Sequence, residues 1–414
     1  MLARLLGPGL VTGAADDDPS GIATYSQAGA QFGNGLLWTV ILTWPFMVAI
    51  QLVSARIGRV TGQGIVANVN AYFPRPVVVG LVGLLVAANT INIAADLAAM
   101  GDALELMIGG PGAAYALVMG IVCVLLEVFV PYHRYAPIMK WLTLVLFAYV
   151  ATMLTIPIDW LGVLRATVWP TFSLRADYLL VVVAVFGTTI SPYLFFWQAS
   201  QEVEEIAQHK RRRPLREAGR GGTRELRRIG LDTAVGMAFS NIIAFFIILT
   251  AAATLNAHGV TNIQTSAQAA EALRPLAGNL AFTLFALGIV GTGMLAVPVL
   301  AGSAGYGIAE AFGWKASLEA APRDARKFYE VIAIATIIGV VMALSPIDPI
   351  QMLFWSAVVN GVVAVPIMAV MMLIASNRKI MGHFVIHRAM TVMGWGATGL
   401  MALVVAVLAW ASWT

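Results

Sequence analysis

The chain has 414 residues, 59% of them hydrophobic and 11% charged, with a formal net charge of +4 at pH 7. So apolar a composition places it among multi-pass membrane proteins rather than soluble globular ones. The lone cysteine, Cys123, excludes a disulfide framework, a cysteine-based zinc site and a dithiol redox motif.

Apolar runs separated by charged or Pro/Gly-rich breaks predict an all-α polytopic bundle of about eleven spans, at roughly 20 apolar residues each. They fall near residues 6–30, 36–57, 76–108, 113–132, 137–156, 177–203, 232–256, 279–311, 328–345, 349–375 and 388–412. The opening Gly7-Pro8-Gly9 runs directly into the first span and does not resemble a signal core ending in a cleavage site. Within that span stand Asp16, Asp17, Asp18, Pro19, Ser20 and Gly21. A carboxylate at bilayer depth costs about 2.5–3.5 kcal/mol on insertion scales, so such groups face a cavity, a partner or an ion. Pro19 removes a backbone donor and disfavours helical geometry at Asp18, so the helix is expected to break there and leave carbonyls beside the acids. Asp18 is the first candidate metal ligand, whereas Asp16 and Asp17 lie on other faces of a helical turn and read as vestibule or cap residues.

Further along, Asn89 and Asp96 lie on one face of the third span, about two turns apart. Asp96 and Glu127 in the fourth span are intramembrane carboxylates that read as proton-relay or access-path residues, although Glu127 stands near enough to the end of its span to reach water. The five histidines, His133, His209, His258, His383 and His387, fall mostly in or near loops, which argues against a histidine metal centre.

The sixth span carries Gly187-Thr188-Thr189-Ile190-Ser191-Pro192, which repeats the logic of Gly13 through Pro19: a glycine, small or polar residues, then a polar residue directly before proline. The breaks are an odd number of spans apart and so lie in helices of opposite direction. That predicts an inverted repeat of five plus five spans, near 4–156 and 177–375, with an extra helix at 388–412, forming a single transport domain. Broken helices in matching positions of two halves point to a midplane site. Across it Thr188 and Ser191 offer hydroxyl oxygens, and Gln198 and Asn241 amide oxygens. These are hard ligands that suit magnesium, calcium or manganese.

All Lys and Arg residues except Arg165, Arg175 and Arg274 fall on one side of this topology, which places the N-terminus in the cytoplasm and the C-terminus outside. The basic stretch from Lys210 to Arg228 is a loop between spans, suited to anionic lipid rather than nucleic acid.

Taken together, Gly7-Pro8-Gly9, Asp18-Pro19-Ser20-Gly21 followed by Gln27-Ala28-Gly29-Ala30-Gln31-Phe32-Gly33, Ser54-Ala55-Arg56-Ile57-Gly58, Ala95-Asp96-Leu97-Ala98 and Ser376-Asn377-Arg378-Lys379-Ile380-Met381-Gly382 resemble the NRAMP divalent-metal transporters. The resemblance implies a LeuT-type fold with the ion held between broken first and sixth helices. Where the family has Asp-Pro-Gly-Asn this chain has Asp18-Pro19-Ser20-Gly21, keeping the acid ligand and losing the amide. The family's Met-Pro-His appears as Ser191-Pro192-Tyr193, without the thioether; Thr188 stands where the family has Ala, Gln198 where it has a second His, and Asn89 where it has a third-helix Glu. Between Phe328 and Leu344 there is no Arg to match the family's ninth-helix Arg. This combination is similar to the NRAMP-related magnesium transporter branch.

The expected function is therefore secondary transport of a divalent cation across the inner membrane, with hydrated or partly hydrated magnesium taken up without proton coupling. The metal set is Asp18, Gly21, Thr188, Ser191 and Gln198, with Asp17, Asn89, Asp96, Tyr193 and Asn241 around it. Proton-coupled manganese transport is the alternative, and an amino-acid transporter or an intramembrane enzyme stands behind it. No resident cofactor, nucleic acid or obligatory protein partner is expected, only the transported ion and membrane lipid.

Overall fold

Apolar runs fold as helices throughout the computed structural model, which describes residues 8–130, 134, 143–208, 212–218 and 222–413. The first span is two half-helices, α1 (Pro8–Asp16) and α2 (Pro19–Phe32). A turn at Gly33–Leu36 leads into α3 (Leu37–Thr61), which Gly62 ends in the left-handed conformation (φ 68°) that only glycine adopts without strain. Then come α4 (Ile65–Tyr72), α5 (Arg75–Ile108) and α6 (Gly112–Phe129). Of the expected fifth span, residues 137–142 lie outside the described residues; the rest is a 3-10 turn at Thr143–Leu146 and α7 (Phe147–Thr152). The short α8 (Trp160–Val168) precedes the second broken span, α9 (Ala176–Thr189) and α10 (Pro192–Gln208). The remaining long helices are α11 (Gly222–Thr254), α12 (Ala281–Phe312), α13 (Arg326–Ala343), α14 (Pro349–Ser376) and α15 (Arg388–Ala411).

Among the described residues, eight helical stretches are long and apolar enough to cross a membrane; one of them, Pro19–Thr61, contains two expected spans joined by the turn. Their burial sorts centre from rim. The apolar window of Ala176–Gln208 is 94% buried, against 22% for that of Arg388–Ala411, so the second broken span runs through the middle and α15 faces lipid. His133, His209, Lys140, Lys210, Arg211 and Arg220 lie outside the described residues.

Close backbone approaches hold the broken spans. A Cβ added at Gly13 would collide with the backbone of Gly236 on α11, and one at Gly187 with the backbone of Ala357 and Gly361 on α14. Side chains pin the start of α10 through its carbonyls: Ser303 donates to Tyr193 O (2.9 Å), Gln51 Nε2 to Leu194 O (2.9 Å) and Ser54 to Phe195 O. At the basic end of the bundle Arg59 pairs with Glu225 (3.0 Å), and Arg228 with Glu205 (2.9 Å) and Glu225 (3.1 Å), tying α3, α10 and α11 together.

Candidate functional site

The two breaks occur where proline dictates them, at Asp17–Asp18 and at Ile190–Ser191. Each ends one half-helix and starts another. The last carbonyls of α1 and α9 and the first N–H groups of α2 and α10 therefore meet inside the bundle, where the carbonyl ends favour a cation.

Asp18 is the N-cap of α2. Its Oδ1 accepts from Gly21 N–H (2.7 Å) and Ser20 O–H (2.7 Å), and its Oδ2 lies 3.2 Å from the Tyr193 hydroxyl. Tyr193 also approaches Ala15 O at 2.9 Å, so one side chain of α10 touches both the end of α1 and the cap of α2. Gly21 lets α2 approach α9 closely: a Cβ there would lie 3.3 Å from Thr188 Oγ1, 3.4 Å from Tyr25 Cε2 and 3.5 Å from Asp18 Oδ1. Ser20 Oγ stands 3.5 Å from Thr188 Oγ1. The structure thus brings Asp18, Gly21, Thr188 and Tyr193 together, with Ser20 as an addition.

Other expected residues point elsewhere. Ser191 turns its hydroxyl back onto the end of α9, near Thr188 O (2.7 Å) and Gly187 O (3.1 Å). Gln198 lies about 10 Å farther along α10 at 1.5 Å per residue; its Nε2 donates to Thr233 Oγ1 on α11 (2.8 Å). Asn89 donates to Leu300 O on α12 (2.8 Å). Asn241 reaches Met237 O (3.3 Å) and Met47 Sδ, and lines an apolar cavity of about 370 Å³ with Val40, Trp44 and Phe245.

Its neighbour Ser240 faces the break instead. Ser240 Oγ is 2.5 Å from Asp16 Oδ2 and 2.9 Å from Asp17 Oδ1. A hydroxyl has one proton, so it cannot serve both carboxylates at once. Asp16, Asp17 and Asp18 are each 1% exposed. Asp16 Oδ1, Asp17 Oδ2 and both oxygens of Asp96 have no hydrogen-bond partner among the described residues. Removing carboxylates from water costs several kcal/mol per ion unless a proton or cation compensates, so a site of this charge and burial is built to receive positive charge. Sequence reasoning missed Ser20, Ser240 and the pair Tyr25–Thr189 (3.0 Å), which bonds α2 to the end of α9. Ser20 had a signal in its place directly after Pro19; a serine in an apolar helix, like Ser240, has none.

Two discontinuous helices meeting at a buried acid within a membrane bundle define the class, a multi-pass transporter of the LeuT-type fold. The chain belongs to the natural resistance-associated macrophage protein-like (Nramp) family, whose model matches residues 9–411. It is 28% identical over 415 residues to the divalent metal cation transporter MntH of Klebsiella pneumoniae subsp. pneumoniae, covering 98% of this chain and 93% of that protein. In fold it is similar to a manganese transporter of Eremococcus coleocola solved with an aromatic bis-isothiourea compound, with a TM-score of 0.74 at 16% identity over 96% of this chain and 84% of the other. It is similar also to Mhp1, a nucleobase-cation-symport-1 family transporter in a closed conformation, with a TM-score of 0.60 at 14% identity over 98% and 93% of the two chains.

Proposed function

We propose that the chain transports divalent metal cations across the inner membrane, with its N-terminus in the cytoplasm, and that magnesium is its cargo, entering without proton exchange. The observation that carries this reading is Asp18: a buried carboxylate at the break between α1 and α2, which the close approach at Gly21 brings near the hydroxyl of Thr188. Such oxygen donors suit a hard ion, and magnesium keeps several waters when protein supplies one or two carboxylates. Ser191 and Gln198, whose hydrogen bonds lie away from Asp18, complete the proposed ligand set by rotation or through those waters. Asp17, Asn89, Asp96, Tyr193 and Asn241 serve as supports or access residues.

A dication entering a cell gains roughly 4.6 kcal/mol per 100 mV, twice the ~2.3 kcal/mol of a single charge, so proton coupling is unnecessary for an abundant metal. Proton-coupled manganese uptake is the second reading, favoured by the name of the solved Eremococcus coleocola transporter. The serine in the family's methionine position counts against it, because a soft ligand is missing.

Proteoliposomes loaded with a pH-sensitive dye separate the two. Magnesium influx under an inside-negative potential with no acidification of the lumen is the expected result. Acidification that scales with metal influx, or manganese uptake with no magnesium uptake, would overturn it.

A further inference from the structure

Away from the helix breaks, a groove of about 630 Å³ runs along the outside of the bundle between α5 and the end of α12. Val78, Val79, Val82 and Val86 form its wall, Phe312 its opposite lip, and Arg75 and Asn70 its mouth. The wall spans about 12 Å of helix, at 1.5 Å per residue, and Val79 is 63% exposed. Its floor is open because Gly83 has no side chain, and a Cβ placed there meets nothing within 4 Å.

Beside the mouth stand side chains of the kind found at headgroup level. Phe312 and Trp314 stack with ring centroids 4.9 Å apart, and Lys327 Nζ sits 4.6 Å from the Trp314 ring, an aromatic and cationic pairing typical of the membrane–water boundary. Arg75 opens α5, whose N-terminus no side chain caps, so guanidinium and helix dipole are positive at the same place. Asn70 Nδ2 on α4 donates to Ala311 O (3.2 Å) and ties α4 to the end of α12. Glu310, the nearby carboxylate on α12, is turned inward to accept from Ala67 N–H (3.0 Å) and leaves the mouth free of negative charge.

We propose that this groove binds one anionic phospholipid, its phosphate on Arg75 and an acyl chain along Val79, Val82 and Val86. A zwitterionic lipid also offers Arg75 a phosphate but brings a quaternary ammonium to a mouth that is already positive. An anionic lipid satisfies the valine wall and the guanidinium and adds no cation.

The test uses the full chain in nanodiscs of equal phosphatidylglycerol and phosphatidylcholine, with retained lipid counted by native mass spectrometry after delipidation. The unaltered protein is expected to retain phosphatidylglycerol in preference. Arg75→Gln is expected to lower that preference about fivefold, the equivalent of one basic contact at the surface, while Arg75→Lys keeps most of it. Gly83→Leu, whose Cβ meets no atom within 4 Å, is expected to fill part of the groove and reduce retention of both lipids. Unchanged selectivity in Arg75→Gln, or unchanged retention in Gly83→Leu, would overturn the assignment.

Discussion

Asp18 has two roles that a single substitution would confuse, and the structure separates them. As the N-cap of α2 it accepts from the buried Gly21 N–H and Ser20 O–H; as the proposed ligand it supplies negative charge. Asp18→Ala removes both. Each buried donor left without an acceptor costs about 1–3 kcal/mol, and Ser20 has Thr188 Oγ1 nearby as a substitute, so the Gly21 N–H remains and the expected destabilisation is about 1–3 kcal/mol. Asp18→Asn keeps the cap, because the amide oxygen accepts the same two bonds. Its Nδ2 would then take the place of Oδ2 and donate to the Tyr193 hydroxyl, which gives its own proton to Ala15 O. The cap bonds and the Tyr193 hydroxyl stay paired and one Nδ2 hydrogen is left over, so stability should fall less than in Asp18→Ala. Transport should nevertheless fall by at least about 30-fold, since losing one partner of a buried charge pair costs about 2–5 kcal/mol. Thermal unfolding in detergent reads the first quantity and magnesium flux into proteoliposomes the second. Magnesium flux in Asp18→Asn within a few-fold of the native rate would refute the ligand assignment, and equal destabilisation by Asn and Ala would refute the cap.

Ser191→Met should raise manganese or cadmium binding relative to magnesium, because it restores a soft ligand at the second break; an unchanged selectivity ratio in competition titrations would show that this position does not reach the ion. Gly13→Ala should force α1 off α11, since its Cβ collides with the Gly236 backbone; the readout is faster labelling of a cysteine introduced on α1 in a background lacking Cys123, and native labelling rates would count against that packing. Ser240→Ala should destabilise the chain by about 1–3 kcal/mol, as Asp16 and Asp17 lose their shared donor. Unfolding curves that superimpose on the native ones would show that the pair is satisfied from elsewhere.

The helical frame was legible because its signals are strong and local. Runs of about 20 apolar residues set the span positions, and the proline after Asp18 and the proline after Ser191 set the breaks. Residues 137–142 of the expected fifth span lie outside the described residues, and α2 and α3 are joined by a short turn, Gly33–Leu36, close to the expected gap between residues 30 and 36. Burial order was not legible at all. Ala176–Gln208 and Arg388–Ala411 are about equally apolar, yet one is the centre of the bundle and the other its rim.

At the site, composition identifies which residues are costly to bury but not where they point. Asp18 was legible because a carboxylate beside a helix-breaking proline in an apolar run is costly in lipid unless it meets a cation or a donor. Ser191, Gln198 and Asn241 stand out in the sequence for their chemistry, and each is rotated toward a helix end or a neighbouring helix. Adjacent residues on a helix differ by about 100° in direction, which is enough to send Asn241 to an apolar cavity and Ser240 to the acids. A serine in an apolar helix is inexpensive because it bonds its own preceding turn, so nothing in its sequence context sets it apart. Its importance appears only when Asp16 and Asp17 are seen to compete for its single proton, and that competition is why the site needs a positive charge from outside the chain.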